Sequence, residues 1–513
     1  MQMKDSLWLP DLGNGTYQNP VLFCDYSDPD VIRVGDTYYL TASSFNYVPG
    51  LPILTSKDLV NWTLVNYALK NIPEERYAMP QHAQGVWAPA IRWHEGWFYI
   101  FYGMPDEGIF MVRTQDALAE WEAPVCLLPG KGLIDPCPFW DEDGSAYVVH
   151  GYARSRIGFK SFLGMFPMSW DGTRATGEDH LIYNGLATQP TIEGPKVYRR
   201  GEYVYIFAPA GGVATGWQTV LRSKDIHGPF EEKIVLKQGD TMVNGPHQGG
   251  WVTTPDGQDW FMHFQSRGLY GRIVHLQPMY WDDEGWPVMG DPGKPVMLHE
   301  KPHAPLCEQT SGQASDSFEG KLGLQWQFMG NWRDDFFSLA NPGVLRLFAR
   351  DCGKTLWQCP QALTQKVACP AFTAAVRLDA SALQAGEQAG LALIGGQYAY
   401  AAVRHEQDGF KLVYVQSAGQ NAGDEVQVSL PIAQPQITLR MTLRPTGYDQ
   451  SEAVFAYSTD NASFSPIGSP FAPERHTWVG ARCALMCMPF DRAGSETGHA
   501  DFGPFTVTKE EAE

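Results

Sequence analysis

Five times in its first three hundred residues the chain repeats one form, a Gly followed by a short aromatic and β-branched run. The segments are GDTYYLTAS (35–43), GWFYIFYG (96–103), GSAYVVHG (144–151), GEYVYIFAP (201–209) and GQDWFMHFQ (257–265). Each reads as a strand entered from a tight turn. Upstream of each lies a Pro-containing polar step: SDPDVIRV at Pro29, WAPAIRW at Pro89, IDPCPFW at Pro136, IEGPKVY at Pro195 and GPHQGGWV at Pro246. The steps between these prolines are 60, 47, 59 and 51 residues, a period in the range of propeller blades. A third echo, TSKDLVNW (55–62), RTQDALAEW (113–121) and RSKDIHGPF (222–230), reads as an outer hairpin. Two strands plus an outer hairpin make a four-stranded sheet, and five such sheets set radially make a five-bladed β-propeller. A β-sandwich, the competing all-β arrangement, requires no regular echo of about fifty residues.

In a propeller the innermost strands line a central channel, so the five Pro steps should be equivalent by pseudo-symmetry. At those points stand Asp28, Trp87, Asp135, Glu193 and His247. Singly, each has a plain explanation, since Asp before Pro commonly initiates a turn. Together they would bring three carboxylates to one axis, and crowded like charges shift each other's pKa at a cost structure alone does not justify. No G-x-S-x-G elbow, H-E-x-x-H pair, phosphate-cradling loop or dinucleotide fingerprint is present. Hydrolysis by paired carboxylates fits best, one acid protonating a glycosidic oxygen and another activating water.

The bulk numbers agree. Of 513 residues, 38 are Lys or Arg against 57 Asp or Glu, a formal charge of −19 that argues against nucleic acid or an anionic membrane as partner. Aromatic residues reach 13%, including 17 Trp, and ring faces suit the C–H faces of sugars, although strands also favour them. No run approaches the roughly 18 apolar residues of a membrane span. The N-terminus MQMKDSLWLPDLGNG has no apolar core or cleavage site, so a cytoplasmic location is expected unless a leader has been removed. The nine cysteines lack any C-x-x-C pair and read as buried free thiols, with Cys483 and Cys487 on one face of a strand.

At these residues the sequence resembles glycoside hydrolase family 43. The marks are SDPDVIRVGDTYYLTAS with SKDLVNW downstream, then WAP, IDPCPFWDEDGSAY, EGPKVY and GPH, in order along the propeller region. FNYVPGLPI, PAGGVATGWQ and NGPHQGGW resemble the branch of exo-acting α-L-arabinofuranosidases and β-D-xylosidases. The resemblance implies that Asp28 is the general base, Asp135 the modulator of the acid's pKa and Glu193 the general acid. Inversion then calls for Asp28 and Glu193 to stand about 6.5–9.5 Å apart. His247 resembles a channel histidine that helps hold a hydrated calcium ion near the axis; a hydrogen-bonded core histidine without metal is the plainer reading. Arg272 resembles an arginine of the glycone pocket, with a structural salt bridge as its alternative. Phe45 and Trp87 are expected as stacking walls, Gln248 and Asn46 as polar contacts. Asp30 replaces a small residue beside the base and reads as a turn cap.

The Pro-, Ser- and Gly-containing stretch 301–315 reads as a linker between a catalytic domain (1–300) and a second domain (316–513). There, LTQKVACPAFTAAVRLDA, AGLALIGGQYAYAAVRH and FKLVYVQS alternate as antiparallel strands and resemble the concanavalin-like β-sandwich (jelly roll) behind family 43 propellers. No second acid cluster is evident in it. The loop MCMPFDRAG (486–494) is expected to lean Phe490 on the active-site mouth. The chain thus reads as an inverting exo-glycosidase taking terminal α-L-arabinofuranose or β-D-xylose from hemicellulose fragments, with homo-oligomer formation left open. A non-catalytic sugar-binding propeller is the alternative from another class. A retaining enzyme of a related propeller family would need carboxyls only about 5–5.5 Å apart.

Overall fold

The computed structural model describes residues 7–303, 312–417, 419, 423–491 and 498–510. Most of the linker expected over 301–315, the tip of the 486–494 loop and the first six residues lie outside the described set.

The repeat becomes five four-stranded antiparallel sheets, each built from four consecutive strands. Their innermost strands are Asp30–Val34, Trp87–His94, Leu133–Trp140, Lys196–Arg200 and His247–Thr253. The Gly of each repeat turns the chain into the second strand. In blade two, Glu95 and Gly96 both take positive φ (45° and 85°), the two-residue turn whose twist matches that of its flanking strands. The ring closes through the N-terminal segment, where Leu22 pairs with Val274 of the last blade and Thr16–Gln18 pairs with Leu298–Glu300. Apolar side chains fill the spaces between blades: Ala90, Cys137, Val149 and Ile206 pack together between blades two, three and four.

The second domain is a sandwich of two seven-stranded antiparallel sheets. Its core is continuous with that of the propeller: Leu51, Ile53 and Phe98 belong to the same buried cluster as Phe328, Leu391 and Leu485. Polar clamps reinforce the junction. Asp25 accepts Arg272 N–H (2.8 Å) and Gly480 N–H (2.9 Å), one from each domain. Cys483 and Cys487 lie in one core, and all eight described cysteines are free, seven of them buried and Cys126 exposed. Among the described residues no helix is long and apolar enough to cross a membrane.

Candidate active site

The innermost strands carry a shared backbone device at one mouth of the channel. Asp28, Ala88, Asp135, Gly194 and Gln248 all have positive φ, at 53°, 33°, 58°, 58° and 37°. Strand pairing skips there in blades two, three and five. Left-handed backbone in a non-Gly residue is uncommon and persists where the surroundings enforce it. These five are the true equivalents, which corrects the alignment of the Pro steps. Trp87, Glu193 and His247 each stand one residue before the left-handed position. In blades two and four the left-handed residue is the Ala88 or Gly194 that stands between Trp87 or Glu193 and the Pro, and in blade five it is Gln248, which is followed by Gly249 instead of Pro. Two carboxylates therefore come from equivalent points, and Glu193 enters from the preceding residue.

The mouth is a cavity of about 340 Å³ lined by Asp28, Asp135, Glu193, Phe45, Trp87, Gln248 and Arg272, among others. Asp28 is buried and held on both oxygens: Arg272 Nη1 donates to Oδ1 at 2.7 Å, and the Ser27 and Ser43 hydroxyls donate to Oδ2, each at 2.7 Å. Ser43 also accepts Ala88 N–H at 2.7 Å, tying blade one to blade two beneath the carboxylate. Asp135 accepts Gly194 N–H at 2.8 Å and the Gln248 amide at 3.3 Å through the same oxygen, Oδ2. Burial, with Glu193 and Asp28 nearby, pushes its carboxyl up to about 8. Glu193 is the more open of the three, its side chain 24% exposed, with Oε1 3.0 Å from His247 Nε2.

Besides Asp28, Arg272 donates through the same Nη1 to Ser27 Oγ at 2.8 Å and stacks on Phe264 (4.6 Å) and Trp478 (5.5 Å), while its Nε is buried without a partner among the described residues. Trp87 is held by Ala83 O (3.0 Å) and meets Trp478 edge-on at 6.2 Å. Two expected residues are elsewhere. Asn46 is absent from the cavity wall and donates to Met329 O of the sandwich at 2.8 Å, so it clamps the domains. Phe490 lies under the Arg404 guanidinium at 4.6 Å, within the sandwich. The sandwich reaches the cavity through Trp478 instead, on the segment before the strand Arg482–Pro489. Nothing local in the sequence signals Trp478, since only the docked domains bring it to the mouth. Neither Ser27 nor Ser43 was singled out from the sequence, and only Ser27, beside Asp28, has a local signal for this role. Tyr152 also lines the wall, its hydroxyl fixed by Asp179 Oδ2 (2.7 Å), whose other oxygen meets His150 (3.0 Å). Asp30 does more than cap a turn: it is wholly buried and paired with Arg92 at 2.6 Å.

For a cation, the residues offer little. Among the described residues no three His, Cys, Asp or Glu come together as a metal site. His247 Nδ1 is buried without a partner and could supply one ligand. Calcium takes six to eight oxygens, so the protein fits only an ion that keeps most of its water.

Two family descriptions match the chain. "Glycosyl hydrolases family 43" covers residues 17–287, and "Beta xylosidase C-terminal Concanavalin A-like domain" covers 315–508. A protein of Xylanibacter ruminicola is 37% identical over 93% of this chain and 87% of its own. A β-xylosidase of Formosa agariphila is 31% identical over 97% of this chain and 91% of its own. A non-reducing end α-L-arabinofuranosidase of Bacteroides ovatus is 31% identical over 75% of each. Among solved structures, a bifunctional family 43 protein of Bacteroides eggerthii superposes with a TM-score of 0.85 at 27% identity. All of this chain is covered there, and it spans 64% of that longer protein. The carboxylate-lined mouth, the five blades and the attached sandwich thus find one common explanation: the chain belongs to glycosyl hydrolase family 43, a family of inverting glycosidases.

Proposed function

We propose that this enzyme removes single terminal sugars, β-D-xylose or α-L-arabinofuranose, from the non-reducing ends of hemicellulose fragments. The observation that carries the proposal is the division of three carboxylates within one small cavity. Asp28, fixed by Arg272 and two hydroxyls, acts as general base on the attacking water. Glu193, the most open, is the general acid that protonates the departing glycosidic oxygen. Asp135 is the buried carboxyl whose negative charge, when present, holds the proton on Glu193. A cavity of about 340 Å³ closed by Phe45, Trp87 and Trp478 fits one glycone rather than a continuous chain, which supports exo action. The names of the relatives support the choice of sugars.

His247 orients Glu193 through Nε2. A hydrated calcium ion beside Nδ1 would add positive charge near the axis, and no step depends on it.

The test is turnover of nitrophenyl β-xyloside and nitrophenyl α-L-arabinofuranoside by the wild type and by Glu193→Ala and Asp28→Ala. Turnover of at least one substrate, lost in both variants, is expected. An inert wild type, or variants as active as the wild type, would overturn the proposal.

A further inference from the structure

One stretch of the catalytic mouth carries charge that neither the fold nor the proposed chemistry uses. Strand Ala146–Tyr152 of blade three ends at the cavity wall, and the loop after it, residues 153–161, lines the cavity with Arg154, Ser155 and Lys160. The loop is fixed at both ends. Ala153 N–H donates to Gly132 O (2.8 Å) at its start, and Ser161 Oγ accepts Thr191 N–H (2.7 Å) at its end. Thr191 stands two residues before Glu193, and a Cβ on Gly151 would lie 3.7 Å from Glu193 Cα. The loop therefore flanks the segment that carries the acid. Since a general acid must reach the oxygen it protonates, the leaving sugar passes along this loop.

Three cations sit in these nine residues. Arg156 is answered: its Nε and Nη2 meet Asp106 at 3.3 and 3.2 Å, and its guanidinium lies 5.3 Å from the centre of the Trp87 ring. Arg154 and Lys160 are not. Arg154 is exposed and Lys160 half-buried, and neither side chain has an ion pair or hydrogen bond to any described residue. In a chain of formal charge −19, acids that could pair with them are not scarce. Between them Phe159 is 42% exposed, its ring 5.2 Å from that of Tyr152 on the cavity wall. An open ring beside two free cations offers a sugar face a support and a negative charge a partner.

We propose that Arg154 and Lys160 form an anion-recognising rim for the leaving group. The preferred substrates are then xylo-oligosaccharides in which the sugar behind the scissile bond carries a carboxylate, as a uronic acid branch does. A guanidinium offers a fork that matches a carboxylate, and an ammonium adds a point charge beside it. Their plainer role, offsetting the three carboxylates of the cavity, would serve neutral and acidic substrates alike. The inference rests on the exo-glycosidase reading and on Glu193 as the acid.

Two branched substrates test it: xylotriose whose middle xylose carries a glucuronic acid, and the same compound with that carboxyl reduced to the alcohol, which keeps the branch and loses the charge. For the wild type, kcat/KM should be about tenfold higher on the acidic compound, mainly through KM, and the ratio should shrink toward one in about 0.5 M NaCl. Arg154→Gln and Lys160→Gln should each lower the ratio about threefold, and Arg154→Glu should bring it below one. A wild-type ratio near one, or variants that lose equally on both compounds, would overturn the rim. If Lys160→Gln does not fold, the exposed Arg154 decides alone: a ratio lowered in Arg154→Gln supports the rim, and an unchanged one rejects it. A wild type that turns over the nitrophenyl sugars but neither branched compound also rejects the rim. A wild type inert on the nitrophenyl sugars as well would instead overturn the glycosidase reading beneath it.

Discussion

The same five inner strands open onto two depressions, one at each end of the channel, and only one is built for chemistry. The far depression, about 490 Å³, is the larger and is walled by Trp140, Tyr198 and Trp251 with Arg33, Arg92 and Arg199. There each cation is answered. Arg92 pairs with Asp30, Arg199 with Asp141 at 2.6 Å, and Arg33 donates to Thr253 O at 2.7 Å. At the catalytic mouth the backbone is left-handed at five points, and of the three acids gathered there only Asp28 is paired with a guanidinium. Cavity size does not locate the site. Strained backbone and clustered carboxylates do.

Substitutions at the two ends should therefore differ sharply. The largest effect is expected at Glu193 and Asp28: replacing either by Ala should lower kcat/KM on xylobiose about 10³-fold or more, measured by released xylose. Arg272→Met leaves the buried Asp28 without its ion pair, and a loss of about 10²-fold in kcat/KM is expected. Asp135→Asn should cost about 10²-fold in kcat while stabilising the fold at alkaline pH. The sign follows from its raised pKa. Between the ordinary carboxylate range and about 8 the native state binds more protons than the unfolded chain, so stability falls as pH rises through that window. The Tm advantage of Asp135→Asn should therefore be greatest above pH 8 and vanish near pH 4, as calorimetry at both pH values would read. Trp478→Ala should raise KM about tenfold with little change in kcat, since it removes a wall and no reacting group. The smallest effect belongs to the far end, where Arg199→Met should leave kcat/KM unchanged and cost about 1 kcal/mol of stability. A kinetic defect in Arg199→Met as large as that in Trp478→Ala would break the comparison between the two mouths.

What was legible in the sequence follows the reach of each signal. The repeat gave the blades because strand, turn and Pro step recur at a fixed spacing that local chemistry sets. Asp28 and Asp135 were legible as Asp-Pro steps. Glu193 and His247 were found, but in a register one residue off, because the left-handed turn is a property of φ: Gly194 takes it between Glu193 and the Pro, and blade five makes it at Gln248 without a following Pro. Long-range placements were not legible. Phe490 and Trp478 are both aromatic residues in the last third of the chain, and only the docking of sandwich on propeller decides which meets the sugar pocket.

The central claim is that the catalytic mouth divides its labour, with Glu193 supplying the proton. Its most direct test is to assay Glu193→Ala on xylobiose and on dinitrophenyl β-xyloside side by side. A loss of about 10³-fold is expected on xylobiose, and one at least tenfold smaller on the activated substrate. Equal losses on both would contradict it.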